Sequence, residues 1–356
     1  MSRKKIIIGI AASVALVILI VLIPKISLFL SSRKTTVNAS KVVFFVKVPI
    51  DVDSLALELE EAGVIEDAAA FLSVAEYKGL SKENIALGKY IIEPGSQYRT
   101  ILNGFKLNEA GNGNGEVEVD VTFNNCRDIY QIAGKVSASI MIDSAKLVRI
   151  LDDQETLSRY GFKREEFPAM FLPNTYKMFY DTDEEAFVDR MAQEFKNFWT
   201  SDRKKKLSQI GLKNPSEAVT LASIVYSEQG RIPEEWPIIA GLYLNRMTQG
   251  IRLQSDPTFK FCWGDKLAGV QRLLNIHRDI DCPYNTYKIK GLPPGPICIP
   301  PTQTVDAVLN RDDNNYIFMM AKPDYTGRHD FTVQYADHER LAGIYQKWLA
   351  NELKNQ

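Results

Sequence analysis

Leu221-Ala222-Ser223-Ile224-Val225-Tyr226-Ser227-Glu228, closed by Gly230 and followed by a second apolar run ending in Asn245-Arg246, decides how most of this chain is read. Asn214, Pro215 and Glu217 supply an N-cap, a proline suited to the first helical position and the acidic member of a capping box, so a helix is predicted from Pro215 to Gln229. Ala218, Leu221, Ala222 and Val225 recur at three- and four-residue steps, and Glu228 falls seven residues after Leu221 on the same stripe. A carboxyl group there follows the core residues inward. With Ile224 and Val225 one turn earlier, partial desolvation should raise its pKa and hold a proton near neutral pH, as a general acid requires. The plainer alternative is a solvated Glu in the last turn before a C-cap glycine, facing the negative end of the helix dipole.

The 356 residues are enough for two domains, and a net charge of -1 gives no reason to expect a nucleic-acid partner. Ile6 to Ile23 is an uninterrupted run of apolar and small residues, ~27 Å long as a helix, which reads as a single membrane-spanning anchor. Arg3, Lys4 and Lys5 precede it, so the amino terminus is expected in the cytoplasm and the body outside. A cleaved signal peptide is the competing reading, but the run is long for one. Cys126, Cys262, Cys282 and Cys298 form no C-x-x-C pair and only three histidines are present, so neither a metal site nor a cofactor is expected. Disulfides are permitted in an extracytoplasmic compartment, with buried free thiols the default in a chain this large.

The organisation predicted is α+β: a cytoplasmic tail over 1–5, the anchor and its flank over 6–30, a polar tether over 31–41, a small α/β module over 42–110 and a larger α+β domain over 116–354. In the module, strands are expected at Val42 to Val48 and Tyr90 to Ile92, with helices at Val52 to Ala62, Ala68 to Lys78 and Tyr98 to Leu107. The glycine-rich stretch Gly111 to Gly115 marks the boundary. Beyond it, a strand is expected at Glu116 to Phe123, and helices at Cys126 to Ser137, Asp143 to Asp152, Glu184 to Trp199 and Pro233 to Thr248 besides the Glu228 helix. The last third is read as strands at Arg252 to Gln254, Thr286 to Lys290, Tyr316 to Ala321 and Asp330 to Val333, then a helix through Trp348.

Three clusters in that last third, Gln254-Ser-Asp-Pro-Thr258, Tyr284-Asn-Thr-Tyr287 and Gly291-Leu-Pro-Pro-Gly-Pro-Ile297, combine rigid backbone with side chains that hydrogen-bond hydroxyls and stack on sugar faces. Taken singly, each is common turn chemistry. The ordered series LASIVYSEQG, IAGLYLNRM, GIRLQSDPT, YNTY, GLPPGPI and HDFT, followed by His338, resembles the YceG-like family of endolytic murein transglycosylases. Phe171-Leu-Pro-Asn-Thr-Tyr176 is similar to that family's F-P-D-T-Y segment with Asn for Asp, and the 42–110 module is similar to its LysM-like domain.

The resemblance implies cleavage of nascent peptidoglycan glycan strands between N-acetylmuramic acid and N-acetylglucosamine, outside the cytoplasmic membrane and beside wall-synthesis partners such as penicillin-binding proteins. Glu228 matches the family's catalytic glutamate. The family's usual I-V-E-K-E wording has Tyr226 at its first Glu here, and helical geometry places only the second on the buried stripe. Asn245, Arg246, Gln254, Asp256 and Thr258 are assigned to substrate binding and to positioning Glu228. Tyr284, Asn285 and Tyr287 are assigned to sugar contact, and Pro293, Pro294 and Gly295 to a wall of the subsite, while His329 and His338 are read as structural. A muramidase with Asp256 as second carboxylate and a non-catalytic wall-binding scaffold stay open beside the lytic reading.

Overall fold

The computed structural model describes residues 3–267 and 275–354, so Met1 and Ser2 of the expected cytoplasmic tail lie outside the described residues. The chain divides into two compact units, the first made of residues 1–121, 139–141 and 177–182, the second of 122–138, 142–176 and 183–356. It is a mixed α+β fold, with three two-stranded sheets among the described residues.

In the first unit, α1 runs unbroken from Arg3 to Arg33 through Pro24. Within it, Leu16–Arg33 is long and apolar enough to cross a membrane and is unburied, making it a candidate single-pass anchor. Strand β1 (Val42–Val46) pairs antiparallel with β2 (Gly88–Ile92), Val42 opposite Ile92 and Val46 opposite Gly88. Helices α2 (Val52–Glu61), α3 (Ala68–Tyr77) and α4 (Tyr98–Phe105) pack with this two-stranded sheet. Leu55, Leu59, Phe71, Val74, Leu102 and Phe105 fill the shared core, and Phe105 meets Phe44 and Tyr90 edge-on. The stretch expected as a free tether is instead held to this core. Thr35 bridges to Gln97, Thr36 N donates to Ser96 O at 2.9 Å, and Val37 N donates to Val64 O at 3.0 Å. Backbone polar groups beside a packed core find backbone partners wherever the chain allows, and the polar side chains there gave no sign of it.

Strands β3 (Val119–Phe123) and β4 (Asn174–Met178) form the second sheet. The helices of the second unit are α5 (Ile129–Ser137), α6 (Ser144–Leu151), α7 (Gln154–Tyr160), α8 (Glu184–Phe198), α9 (Ser201–Gln209), α10 (Pro215–Glu228), α11 (Trp236–Thr248), α12 (Asp256–Trp263), α13 (Asn275–Arg278), α14 (Thr302–Leu309) and α15 (Tyr335–Lys354). Strand β5 (Phe318–Ala321) pairs antiparallel with β6 (His329–Thr332). Helix α10 sits at the centre. Ser216 and every residue from Ala218 to Val225 are buried, so it is enclosed on all sides where the spacing predicted a single stripe. Helices α11, α12 and α14 and the 3-10 turn Phe167–Met170 surround it. The interior hydroxyl of Ser223 is used: its Oγ donates to Thr220 O at 2.7 Å and accepts from Ile297 N at 3.0 Å.

Two expected strands are absent. Arg252 to Gln254 forms no strand, Gln254 being left-handed, and Thr286 to Lys290 is a turn. The Asp256-Pro257 pair, read as a turn, begins α12, since proline fits the first helical turn, where its missing N–H leaves nothing unsatisfied. Helices α7, α9 and α14 were not expected. Buried free thiols were the default for all four cysteines, but Cys262 of α12 is bonded to Cys282, while Cys126 and Cys298 are free.

The Cys262–Cys282 bond closes a segment of 20 residues in sequence separation. In the chain-entropy model, a Cys262→Ser, Cys282→Ser double variant should lose ~3 kcal/mol, read as a lower guanidinium midpoint than the oxidised protein. Equal midpoints would mean that the bond constrains nothing.

Candidate active site

Glu228 is the last residue of α10, and the helix stops there because Gln229 leaves helical geometry while its N–H still donates to Val225 O. The N-terminus is fixed as the sequence suggests, Asn214 Oδ1 accepting from Glu217 N at 2.9 Å. The Glu217 carboxylate reaches Lys213 N at 2.7 Å, one residue before the cap, rather than the cap's own N–H. At the far end the Glu228 side chain opens into a cavity of ~570 Å³ in the second unit. Tyr243 Oη of α11 donates to its Oε1 at 2.8 Å, and Ser255 Oγ, just ahead of α12, donates to the same atom at 2.5 Å.

Burial drives the Glu228 pKa above its usual value, against the two hydroxyl donors that favour the charged form, and Asp256 nearby adds to the rise. Its neighbour Glu235 is also buried, at 4% exposure, yet is held below the ordinary carboxylate range. Burial pulls Glu235 upward, but His329 N donates to its Oε1 at 2.9 Å, His329 Nδ1 lies 2.8 Å from Oε2 and Gln229 Nε2 donates to Oε2 at 3.0 Å. Gln229 Nε2 also donates to Gly327 O at 2.9 Å, and Trp236 Nε1 to Gln229 O at 2.6 Å. This network ties the β5–β6 hairpin to the turn that follows Glu228, and His329 belongs to it.

Of the residues assigned to substrate, Arg246, Gln254, Asp256 and Tyr287 line the Glu228 cavity. Arg246 is a buried staple, donating to Arg252 O at 2.9 Å, Ile317 O at 2.6 Å and Gln254 Oε1 at 2.5 Å. Gln254 takes a left-handed backbone (φ 52°), costly for a residue with a Cβ and held here by Arg246 and by its own N–H to Thr286 O. Tyr287 Oη donates to Asp256 Oδ1, and Arg278 Nη2 lies 3.5 Å from the same oxygen.

The other assignments fall outside the cavity lining. Asn245 Nδ2 binds the carbonyls of Asn314 and Tyr316 at 2.8 and 3.0 Å. That segment can come so close because Gly241 has no Cβ, which would sit 2.5 Å from Asp312 O. Thr258 and Asn285 are fully buried, Thr258 Oγ1 lying 2.8 Å from Thr286 Oγ1 and Asn285 Nδ2 capping Arg278 O and Ile280 O, so they shape the loop and do not reach a ligand. Tyr284 packs against Phe261. Pro293 and Gly295 are buried, Pro294 is exposed, and a Cβ on Gly295 would lie 1.7 Å from Glu165 O, so the Pro-Gly run serves as a packing seam rather than a subsite wall. Tyr226 bonds Asn125 Oδ1 at 3.1 Å and meets Trp236 edge-on.

Sequence reasoning passed over Tyr243 and Ser255, and also Phe318 and Tyr335, which line the cavity from β5 and α15 together with His338, read from the sequence as structural. His338 stacks on Phe318 with ring centroids 5.1 Å apart, and burial and Arg246 lower its pKa. Ser255 lies inside a quoted run and could have been found as a hydroxyl beside Asp256. No local pattern marks Tyr243 or the β5 and α15 residues.

A family model described as the YceG-like family matches residues 45–343. An endolytic murein transglycosylase of Bacillus subtilis is 25% identical over 335 residues, which are 88% of this chain and 85% of that protein. A protein of the same name from Streptococcus pneumoniae is 25% identical over 324 residues, 82% of this chain and 56% of that protein, so the chain spans little more than half of the pneumococcal relative. The crystal structure of a YceG-like protein from Listeria monocytogenes shares the fold, with a TM-score of 0.54 at 21% identity over 85% of this chain and 99% of that one.

A raised carboxyl pKa in the folded state lets the unfolded chain lose its proton first, so Glu228 weakens folding once pH rises above its unfolded value near ~4.3. Glu228→Gln should therefore raise stability at pH 7 by ~1 kcal/mol, about 2–4 °C in Tm. The same comparison at pH 4 should shrink the gain, and an equal gain at both pH values would remove the ionisation argument.

Proposed function

The chain belongs to the YceG-like family, and on that premise we propose that it is an endolytic lytic transglycosylase of peptidoglycan. In this reading Glu228 protonates the glycosidic oxygen between N-acetylmuramic acid and N-acetylglucosamine as the C1–O bond breaks. As a carboxylate it then takes the proton from the C6 hydroxyl of the same muramic acid, which closes a 1,6-anhydro ring. The observation that carries the proposal is one carboxyl group at the foot of a buried helix, its pKa raised by burial, opening on a cavity of ~570 Å³. Arg246 and Gln254 hold the wall beside it, and Tyr287 supplies a ring for sugar contact.

The relatives' printed names support the substrate class. We place the anchor of α1 in the cytoplasmic membrane with the body outside, the 42–110 module as a LysM-like module and 116–354 as the catalytic domain. Such an enzyme cuts nascent strands and so ends their elongation, working beside penicillin-binding proteins. A second reading rests on Asp256, whose carboxylate lines the same cavity: a muramidase would use it to direct water to the anomeric carbon. Its hydrogen bond from Tyr287 and its approach to Arg278 favour a positioning role.

Incubation of the protein with purified glycan strands in heavy-oxygen water, read by mass spectrometry, should give anhydromuramic ends without label. Glu228→Gln should slow product formation ~10²-fold or more. Labelled reducing ends would select the muramidase, and no product with a folded wild-type protein would leave only a scaffold.

A further inference from the structure

Serine is among the preferred N-cap residues because its hydroxyl can accept from the first free N–H groups of a helix. Asp51, Asp67, Asp128, Asp143, Asp153, Asp183, Thr200 and Asn214 all cap their helices in this way. Ser255, at the N-cap of α12, does not. Its side chain is turned away from the helix and donates to Glu228 Oε1 at 2.5 Å, while its own N–H donates to Thr286 Oγ1 at 3.0 Å. Helix α12 thus forgoes a stabilising cap at a residue only 1% exposed. Tyr243 Oη, also buried, reaches the same oxygen from α11 at 2.8 Å. Glu228 Oε2 accepts from none of the described residues, and it is not occluded in the way that the unpartnered His338 Nδ1 is.

We propose that Ser255 and Tyr243 are positioning residues that hold Glu228 Oε1 as a standing double acceptor and so confine the transferable proton to Oε2, on the cavity side. The inference rests on the general-acid reading of Glu228 and deepens it. An oxygen already accepting two hydrogen bonds is a poor site for a proton, and two donors from different helices also fix the carboxyl plane. The proton on Oε2 passes to the glycosidic oxygen as its bond to the anomeric carbon breaks. Oε2 then receives the proton of the attacking hydroxyl, which restores the starting acid with Oε1 unchanged throughout. The other titratable groups facing Glu228 are Asp256, Tyr287, Arg246, Arg278 and His338 on the cavity lining and His329 from β6. Among the described residues none of them bonds to its carboxyl group, so the two hydroxyls are the direct handle on it.

The test compares the full chain with its Ser255→Ala, Ser255→Thr and Tyr243→Phe variants in two measurements. The first is kcat and KM on glycan strands across pH. The second is a carbon-13 NMR titration of labelled glutamate carboxyls, in which Glu228→Gln identifies the Glu228 signal. Removing a donor to the charged form should move the Glu228 titration, and the alkaline limb of kcat with it, to higher pH, and should lower kcat ~10-fold with KM within about twofold. Ser255→Thr, which keeps the hydroxyl, should leave the titration in place. If Ser255→Ala does not fold, Tyr243→Phe carries the test, because it keeps the buried ring and loses only the donor. A Glu228 titration unmoved in Ser255→Ala and Tyr243→Phe, or a rise in KM at constant kcat, would overturn the proposal. A wild-type protein that cleaves no glycan would count against the enzymatic reading alone, since the NMR titration still reports whether the two hydroxyls govern Glu228.

Discussion

Burial of α10 on every side is the constraint from which the rest of the second unit follows. A helix with Leu221, Ile224 and Val225 all at 0% exposure needs partners around its whole circumference, and each such side chain contributes ~1.5–3 kcal/mol when removed from water. Ala218 and Ala222 let those partners approach closely, and Ser223 settles its hydroxyl on Thr220 O within the helix and on Ile297 N. Burial relaxes at the end of the helix, where Ser227 is exposed and Glu228 half-buried, but the capping Gln229 is buried again and its carbonyl takes a donor from Trp236 Nε1. A carboxyl group in this position inherits the desolvation of the whole helix. The negative end of the helix dipole, which a surface Glu would merely tolerate, here adds to the cost of its charge.

Two carboxyl groups seven residues apart, half-buried Glu228 and buried Glu235, are driven in opposite directions by what touches them. Glu228 receives two hydroxyl donors on one oxygen, too little to offset burial, and its pKa rises. Glu235 receives a backbone N–H, an imidazole and an amide, and its pKa falls. Stability from Glu235 is therefore present above its unfolded pKa and lost as pH falls through its lower folded value, whereas Glu228 detracts from stability above its unfolded pKa. Separation of this kind divides the labour between a proton donor and a fixed anion. The anion is what fastens the hairpin to the turn that follows Glu228.

Much of this was readable from the chain before any fold was known. Asn214-Pro215 set the start of α10 and the seven-residue step from Leu221 placed Glu228 inward, because caps and periodicity are local signals. The stripe was too narrow a picture, since polar Thr220 and Ser223 hid the enclosure of the opposite face. Arg252 to Gln254 looked like a strand because it alternates, but no neighbouring strand reaches it, and pairing is not a local property. The Asp-Pro start of α12 carries the same residues as a turn. Gln254, Asp256 and Tyr287, singled out by their turn clusters, and Arg246, singled out at the end of the second helix, line one cavity. Ser255 and Tyr243 were not singled out, because donation from α11 and α12 to α10 depends on how three helices meet.

Several residues whose composition suggested ligand contact prove to be fasteners, and the reason is the same for each. Asn, Thr, Arg and the Pro-Gly pair are the residues that bind sugars, and they are equally those that satisfy buried carbonyls and allow close backbone approach. Asn245 and Arg246 spend their donors on the chain entering β5, so that the wall carrying Phe318 stands at a fixed distance from α11. Gln229 and Glu235 hold the other strand of that hairpin through Gly327 and His329. With both strands held, the hairpin cannot swing on either edge alone, and the space between it and Glu228 is set by hydrogen bonds rather than by loose packing. A cavity bounded in this way can present a polar floor at Glu228, Asp256 and Gln254 to a wall of Phe318, Met319 and Tyr335. That pairing of hydrogen-bonding edge and flat apolar face is what a pyranose ring offers in return.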